Sequence, residues 1–195
     1  IFDEYNSNSE PEACKKALGL DPGKITVLIV AGNLNEERKG GPILKDILKD
    51  KRHSQLQFLL IGELDSEKNM PPNVKSMGFV KDDELKRIAY TCADITLHPA
   101  PIDNLPNTVI ESVACGTPVI AFSSGGLKDM VIPQKTGWLV QEMGASFLSD
   151  ELQKITKNRS FESIKIRLLE ERKGLFSPLQ VAENYIEHFN SLVQT

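Results

Sequence analysis

Two carboxylates spaced to flank a helix start lie in the run between Pro99 and Glu111, Pro-Ala-Pro-Ile-Asp-Asn-Leu-Pro-Asn-Thr-Val-Ile-Glu. Two carboxylates, Asp103 and Glu111, stand on either side of Pro106, a residue suited to the first turn of a helix. Glu111 would lie roughly 7–8 Å along that helix, at about 1.5 Å per residue. The helix N-terminus between the two acids offers free N–H groups and the positive end of the dipole, which suits phosphate. Carboxylates accept hydrogen bonds from hydroxyls. An anion site flanked by two of them suits a ligand that carries phosphate and hydroxyl-rich groups such as ribose or a sugar. An Asx-turn at Asp103 and a capping or surface role for Glu111 are the structural alternatives.

A second candidate is the loop Gly32-Asn33-Leu34-Asn35-Glu36-Glu37-Arg38-Lys39-Gly40-Gly41. It lacks GxGxxG in register and GxxxxGK[ST], so neither a dinucleotide fingerprint nor a P-loop is present. It offers adjacent Arg38 and Lys39 beside a flexible glycine pair. Arg grips phosphate bidentately and Lys acts as a point charge. The alternative is a solvated basic pair. A third is Gly125-Gly126, where missing side chains would let a ligand approach the backbone. Phe79 and Val80 close a strand and would either flank a base or belong to the core. Cys14, Cys92 and Cys115 are an odd, widely spaced set, read as reduced packing thiols with no disulfide framework. His53, His98 and His188 show no ligand spacing, so no zinc site is expected, and Cys115 has no paired histidine.

These residues need a scaffold, and the hydrophobic pattern supplies one. A continuous β-branched run at Ile25–Ala31 and further stretches at Leu56–Ile61, Val74–Val80, Ala93–His98, Pro118–Phe122 and Trp138–Val140 read as strands. Between them, amphipathic stretches read as helices: one from Pro42 with Ile43, Leu44, Ile47 and Leu48 inward, and one capped by Asp82 with Leu85, Ile88 and Ala89 inward. Another runs from Pro106 with Val109, Ile110, Val113 and Ala114 inward, and a short one from Gly125-Gly126 to Val131. After residue 144 the pattern is helical only: Phe147, Leu148, Leu152 and Ile155, then Ile164, Leu168 and Leu169, then Val181, Tyr185 and Phe189. Alternating strands and helices imply an α/β fold, a Rossmann-like doubly wound parallel sheet of about six strands with helices on both faces. In such a sheet ligands bind beyond the strands' C-terminal ends, where strand order reverses. All three candidate loops fall there.

With 195 residues, 23 Lys+Arg and 27 Asp+Glu, the chain is an ordinary globular one of net charge −4. One domain over residues 1–195 is expected, with 1–24 as an approach segment, which includes a short helix over Glu12–Leu18, and 145–195 as a helical C-terminal part. The charge argues against nucleic acid as a partner. No apolar run is long enough to cross a membrane, and the first residues form no signal peptide. A chain that opens on Ile1 is expected to be a processed product or a piece of something longer.

Asp103-Asn104-Leu105-Pro106-Asn107-Thr108-Val109-Ile110-Glu111-Ser112, followed by Ala114-Cys115-Gly116-Thr117-Pro118-Val119-Ile120-Ala121 and Gly125-Gly126, resembles the signature block of retaining, family-4-type glycosyltransferases of the GT-B fold. Arg38-Lys39-Gly40 and Gly78-Phe79-Val80 fall where that family has its basic and base-flanking loops. The resemblance runs from about residue 25 to 142 and covers the C-terminal, donor-binding half of the fold.

The resemblance implies a nucleotide-diphosphate sugar as substrate, with no metal or other cofactor. It implies transfer to a glycan or lipid-linked acceptor held by an N-terminal domain, in bacterial surface polysaccharide synthesis. The parent protein would be cytoplasmic, with peripheral association at the inner face of the membrane. By that match Asp103 would face the donor sugar near its reacting face, and Glu111 would hold the ribose hydroxyls. Arg38 and Lys39 would neutralise the diphosphate, and Asn104 would line the donor site. The backbone N–H groups of Leu105, Asn107 and Thr108 would contact sugar or phosphate oxygens. Val80 would meet the base through its main chain. The sequence departs from the family in carrying Asp at the first acid of the E-x7-E motif. It also has Asn33 where many members carry Arg, a charge that Arg38 would replace. A non-catalytic nucleotide or sugar-phosphate binding module and a GT-B-fold sugar-nucleotide epimerase are the alternatives.

Overall fold

The β-branched and aliphatic runs pair side by side in parallel. In a computed structural model, which describes residues 10–65 and 70–171 together with Glu183 and Ile186, six strands form one sheet. They are β1 (Thr26–Asn33), β2 (Gln57–Glu63), β3 (Val74–Ser76), β4 (Ile95–His98), β5 (Val119–Phe122) and β6 (Gly137–Val140). Their order is β3-β2-β1-β4-β5-β6. The first strand is central and the chain winds outward from it in both directions. The reversal point therefore lies between β1 and β4, whose C-terminal ends diverge into a crevice.

Side chains alternate between two cores, as the strand period of two demands. Val27 and Ile29 of β1 join Phe58, Leu60 and Leu97 on one face. There they meet Leu44 and Ile47 of α2 (Gly41–Lys49) and Leu148, Leu152 and Ile155 of α6 (Ala145–Lys157). Leu28, Leu59 and Ile61 face the other way, against Cys14 and Leu18, and against Ala89 and Tyr90 of α3 (Asp83–Cys92). A third cluster packs Val119 and Ala121 against α4 (Asn107–Ala114), α5 (Leu127–Met130) and α7 (Phe161–Glu171). Helices cover both faces, as the alternation of strand and helix predicts, and all three cysteines are buried.

Several expectations are corrected. The third strand stops at Ser76 instead of reaching Val80. Gly78 takes a left-handed φ of +66°, and Phe79 beyond it is 54% exposed rather than core. Phe147 is 43% exposed, because the inward stripe of its helix runs through Leu148, Leu152 and Ile155, about 100° away in helical phase. Leu169 is also exposed, though it lies over Gly116. Pro106 caps its helix from outside, and the helix begins at Asn107. The segment ahead of β1 carries α1 (Pro11–Ala17). Its Lys15 ammonium donates to Asp94 Oδ2 at 2.7 Å, and that oxygen also accepts the Thr26 N–H at 2.8 Å. The helix expected around Val181, Tyr185 and Phe189 lies outside the described residues.

One buried polar tie joins the end of α2 to α6. The Ser149 hydroxyl donates to Asp50 Oδ2 at 2.6 Å and so accepts from His53 Nε2–H, also at 2.6 Å. Arg52 closes the group onto Asp50 and Asp150. The carboxylate holds the serine rather than the imidazole Nδ1, so this is a structural tie and not a hydrolytic triad. Burial pushes His53 below its ordinary 6.5. The Arg52 guanidinium holds Asp50 well below its ordinary 3.8. Both shifts favour the deprotonated form in the folded chain, so the unfolded chain takes up protons first. Through these two groups stability is therefore expected to fall as pH drops below 6.5, with a second fall below 3.8. Urea unfolding at pH 7.5, 5.5 and 3, in wild type and His53→Gln, checks this. The variant should lose the first decline and keep the second.

Candidate functional site

Glycines fix the loops around the crevice. Gly40 sits at φ +81°, and a Cβ there would fall 2.2 Å from the Pro99 carbonyl oxygen. The loop after β1 is thus pressed against the loop after β4, and the glycine pair read as flexible is a close-packing device. A Cβ on Gly126 would fall 1.8 Å from the Asn104 carbonyl oxygen. Gly126 N–H donates to Asp103 O at 3.0 Å, and Ser124 Oγ donates to Pro101 O at 2.6 Å. What approaches Gly125-Gly126 closely is therefore the Asp103–Asn104 backbone, not a ligand. The turn after β5 thereby holds the acidic loop in place.

Held this way, Asp103 meets two basic side chains through one oxygen. Lys39 Nζ lies 3.0 Å from Asp103 Oδ2, and His98 Nε2 lies 3.6 Å from the same atom. The Lys39 and Asp103 side chains are 26% and 17% exposed. The His98 ring and then the Lys39 ammonium hold the Asp103 carboxyl well below the usual carboxylate range, so it is ionised throughout the physiological range. His98 Nδ1 is 3.4 Å from the Thr108 hydroxyl. Its buried Nε2 has no hydrogen-bond partner among the described residues.

Lys39, His98, Asn107 and Thr108 line a cavity of about 210 Å³ whose apolar wall is Val30 and Ala31. It opens at the N-terminus of α4, where the first N–H groups have no acceptor within the helix. Cation, imidazole and helix end converge on one small volume suited to an anion. Two larger, shallower depressions of about 430 and 520 Å³ lie around Arg52, one beside the start of β1 and one between α2 and the first turn of α6. Neither is lined by the C-terminal end of a strand. Among the described residues, no group of three or more His, Cys, Asp and Glu is placed to hold a metal. Burial pushes the Cys92 thiol up to about 12, which keeps it unreactive.

Lys39, Asn107 and Thr108 are brought to the cavity, and Asp103 to Lys39. Arg38 is not brought to it. Its guanidinium pairs with Glu36 at 3.1 Å and is 67% exposed. Asn33 spends its side chain on the turn, accepting from Asn35 N–H at 2.8 Å. Glu111 lies on α4, half-buried, and accepts the Tyr90 hydroxyl at 2.8 Å. Asn104 and Leu105 are exposed at the rim. Val80 packs its side chain on the core cluster beneath α3.

Sequence reasoning missed two residues, His98 and Tyr90. The signal for His98 is its place as the last residue of a buried strand, at the edge where ligands bind, and not any metal-ligand spacing. Tyr90 carried no local signal, since only the packing of α3 beside α4 brings it to Glu111.

Comparison with known proteins agrees with this architecture. The family described as Glycosyl transferases group 1 matches residues 25–158, more than half of the chain. A D-inositol 3-phosphate glycosyltransferase from Rhodococcus erythropolis is 30% identical over 67% of this chain and 33% of its own length. Among solved structures, sucrose-phosphate synthase from Thermosynechococcus elongatus superposes with a TM-score of 0.73 and 27% identity, over 91% of this chain and 49% of that one. HepE of Anabaena, solved with UDP and with UDP-glucose, superposes with TM-scores of 0.76 and 0.74 at 19% identity, over 97% of this chain and 55% of that one. The chain thus spans about half or less of these proteins. The six-stranded sheet is the Rossmann-like half of a GT-B fold.

Proposed function

Because the chain belongs to the group 1 glycosyl transferases, we propose that it is the donor-binding domain of a retaining, family-4-type enzyme that takes a sugar from a nucleotide-diphosphate sugar. The observation that carries the reading is Lys39, 3.0 Å from Asp103 and facing the cavity at the N-terminus of α4. The diphosphate sits in that cavity, on the helix N–H groups of Asn107 and Thr108, with Lys39 as its counter-cation. That arrangement stabilises the charge that develops on the leaving diphosphate as the glycosidic bond breaks. Asp103 lies beside the reacting face of the sugar, and Glu111, oriented by Tyr90, takes the ribose hydroxyls. Leu105 offers its N–H and Asn104 its exposed amide at the mouth. Val80 presents its main chain to the base. Arg38 adds positive charge at the rim. The acceptor, a glycan or lipid-linked saccharide in bacterial surface polysaccharide synthesis, is held by a separate N-terminal domain at the cytoplasmic face of the membrane. Among the described residues no helix is long and apolar enough to cross that membrane.

Calorimetric titration of the chain with UDP, GDP and ADP, with and without Mg²⁺, tests the reading. One of the three is expected to bind, with the same affinity in both conditions. No binding of any of them would overturn the donor role, and strict Mg²⁺ dependence would overturn a metal-free site.

A further inference from the structure

Lys39 is already engaged. Its ammonium is bound to Asp103 Oδ2 at 3.0 Å, yet it is the cation that a diphosphate in the cavity must recruit. A lysine that turns toward phosphate leaves the Asp103 carboxylate, whose side chain is only 17% exposed, short of a partner. An ionised carboxylate in that position is costly unless another donor replaces the one withdrawn.

The structure holds such a donor in reserve. His98 ends β4, is 5% exposed, and leaves its buried Nε2 without a hydrogen bond among the described residues. That nitrogen lies 3.6 Å from the same Asp103 oxygen, just beyond hydrogen-bond distance. On the other side of the ring, the Thr108 hydroxyl lies 3.4 Å from Nδ1. A hydroxyl that donates to Nδ1 places the ring proton on Nε2, directed at Asp103. The neutral ring therefore suffices, and no change of protonation is required. A shift of a few tenths of an ångström makes the bond. Asp103 is held from behind by Gly126 N–H on its carbonyl, so the carboxylate is the part free to make that shift.

Resting on the diphosphate reading of the cavity, we propose that His98 is a positioning residue to which Asp103 is handed when Lys39 turns to the ligand. Lys39 and His98 share one carboxylate oxygen in sequence. The lysine donates to it until the anion takes the lysine, and the imidazole Nε2–H, already beside it at 3.6 Å, then closes into the hydrogen bond. His98 then keeps Asp103 ionised and in place without touching the anion itself.

The test is a double-mutant cycle on the 195-residue chain, read by the dissociation constant of inorganic pyrophosphate, which carries the diphosphate without base or sugar. His98→Leu is expected to weaken pyrophosphate about tenfold, the loss of a hydrogen bond to a charged group. His98→Gln, whose side-chain amide reaches the Nε2 position, should recover most of that loss. In an Asp103→Asn background, His98→Leu should cost less than about twofold, because no carboxylate remains to be handed over. A His98→Leu loss of the same size in both backgrounds would overturn the proposal, since the ring would then serve the anion directly or merely support the fold. Unchanged affinity in His98→Leu would overturn it as well. If wild type binds no pyrophosphate and none of the nucleoside diphosphates, the diphosphate reading fails and takes the hand-over with it. If wild type binds but the cycle shows no coupling, the hand-over alone fails.

Discussion

Lys39→Ala is expected to weaken nucleoside diphosphate binding by about a hundredfold, while the affinity for the matching nucleoside changes by less than about threefold. The size follows from two losses at one point. The charge-assisted contact from ammonium to phosphate goes, and a charged hydrogen bond contributes about 1.5–3 kcal/mol. The second loss is the neutralisation of Asp103, whose carboxylate stands 3.0 Å from the missing ammonium. A carboxylate that no cation neutralises, beside an anion cavity, repels the incoming charge even when His98 hydrogen-bonds it. Lys39→Arg keeps the charge but not the compact head, and should fall between the two. Calorimetry with the nucleoside diphosphate that binds, and with its nucleoside, gives both numbers. Equal losses in the two would mean that Lys39 acts on the fold of the loop and not on the phosphates.

The second large effect is expected at a residue with no side chain. Gly126 has ordinary helical backbone angles, φ −78° and ψ −6°, so alanine meets no conformational penalty there. What it meets is the Asn104 carbonyl oxygen, 1.8 Å from the new Cβ, with the carbonyl carbon at 2.8 Å. Something must move, and the Gly126 N–H to Asp103 O bond of 3.0 Å goes with it. Gly126→Ala is expected to cost about 3 kcal/mol of stability by urea unfolding, in the overpacking range. It should also lose diphosphate binding, because the displaced loop carries Asp103 away from Lys39 and His98. Gly23→Ala is the control. Its nearest neighbour would be Asp21 Oδ1 at 3.4 Å, an ordinary contact, so its stability should stay within about 0.5 kcal/mol of wild type. A Gly126→Ala chain as stable as the control would mean that the turn after β5 does not hold the acidic loop.

Much of the scaffold was legible because buried parallel strands are apolar on both faces, and Val27–Ala31 and Phe58–Ile61 are unbroken apolar runs. Where the pattern misled, a local backbone fact intervened. The Val74–Val80 run contains Gly78, whose left-handed φ ends the pairing. Phe147 is apolar enough for a core but lies out of phase with Leu148, Leu152 and Ile155. The candidate site was legible at the level of loops, since the strand-order rule selects the turns after β1 and β4 without knowledge of distances. It was not legible at the level of atoms. Nothing in local spacing shows that Lys39 reaches across 64 positions to Asp103 while its neighbour Arg38 turns outward to Glu36. Glycine announces a close approach but not what approaches, and at Gly125-Gly126 it was the chain itself.

The pairing of Lys39 with Asp103 also bears on how fast a ligand arrives. Until contact, the cation at the crevice is cancelled by a carboxylate 3.0 Å away, so at a distance the pair presents a dipole and not a charge. The chain as a whole carries −4. An anionic ligand is therefore not drawn in from afar, and its encounter rate falls in the unsteered range of about 10⁵–10⁷ M⁻¹s⁻¹ with little response to ionic strength. On the hand-over proposed above, the attraction would be released only after arrival, as the lysine changes partner, so it would govern residence time. Selectivity at this crevice is then exercised on departure rather than on approach.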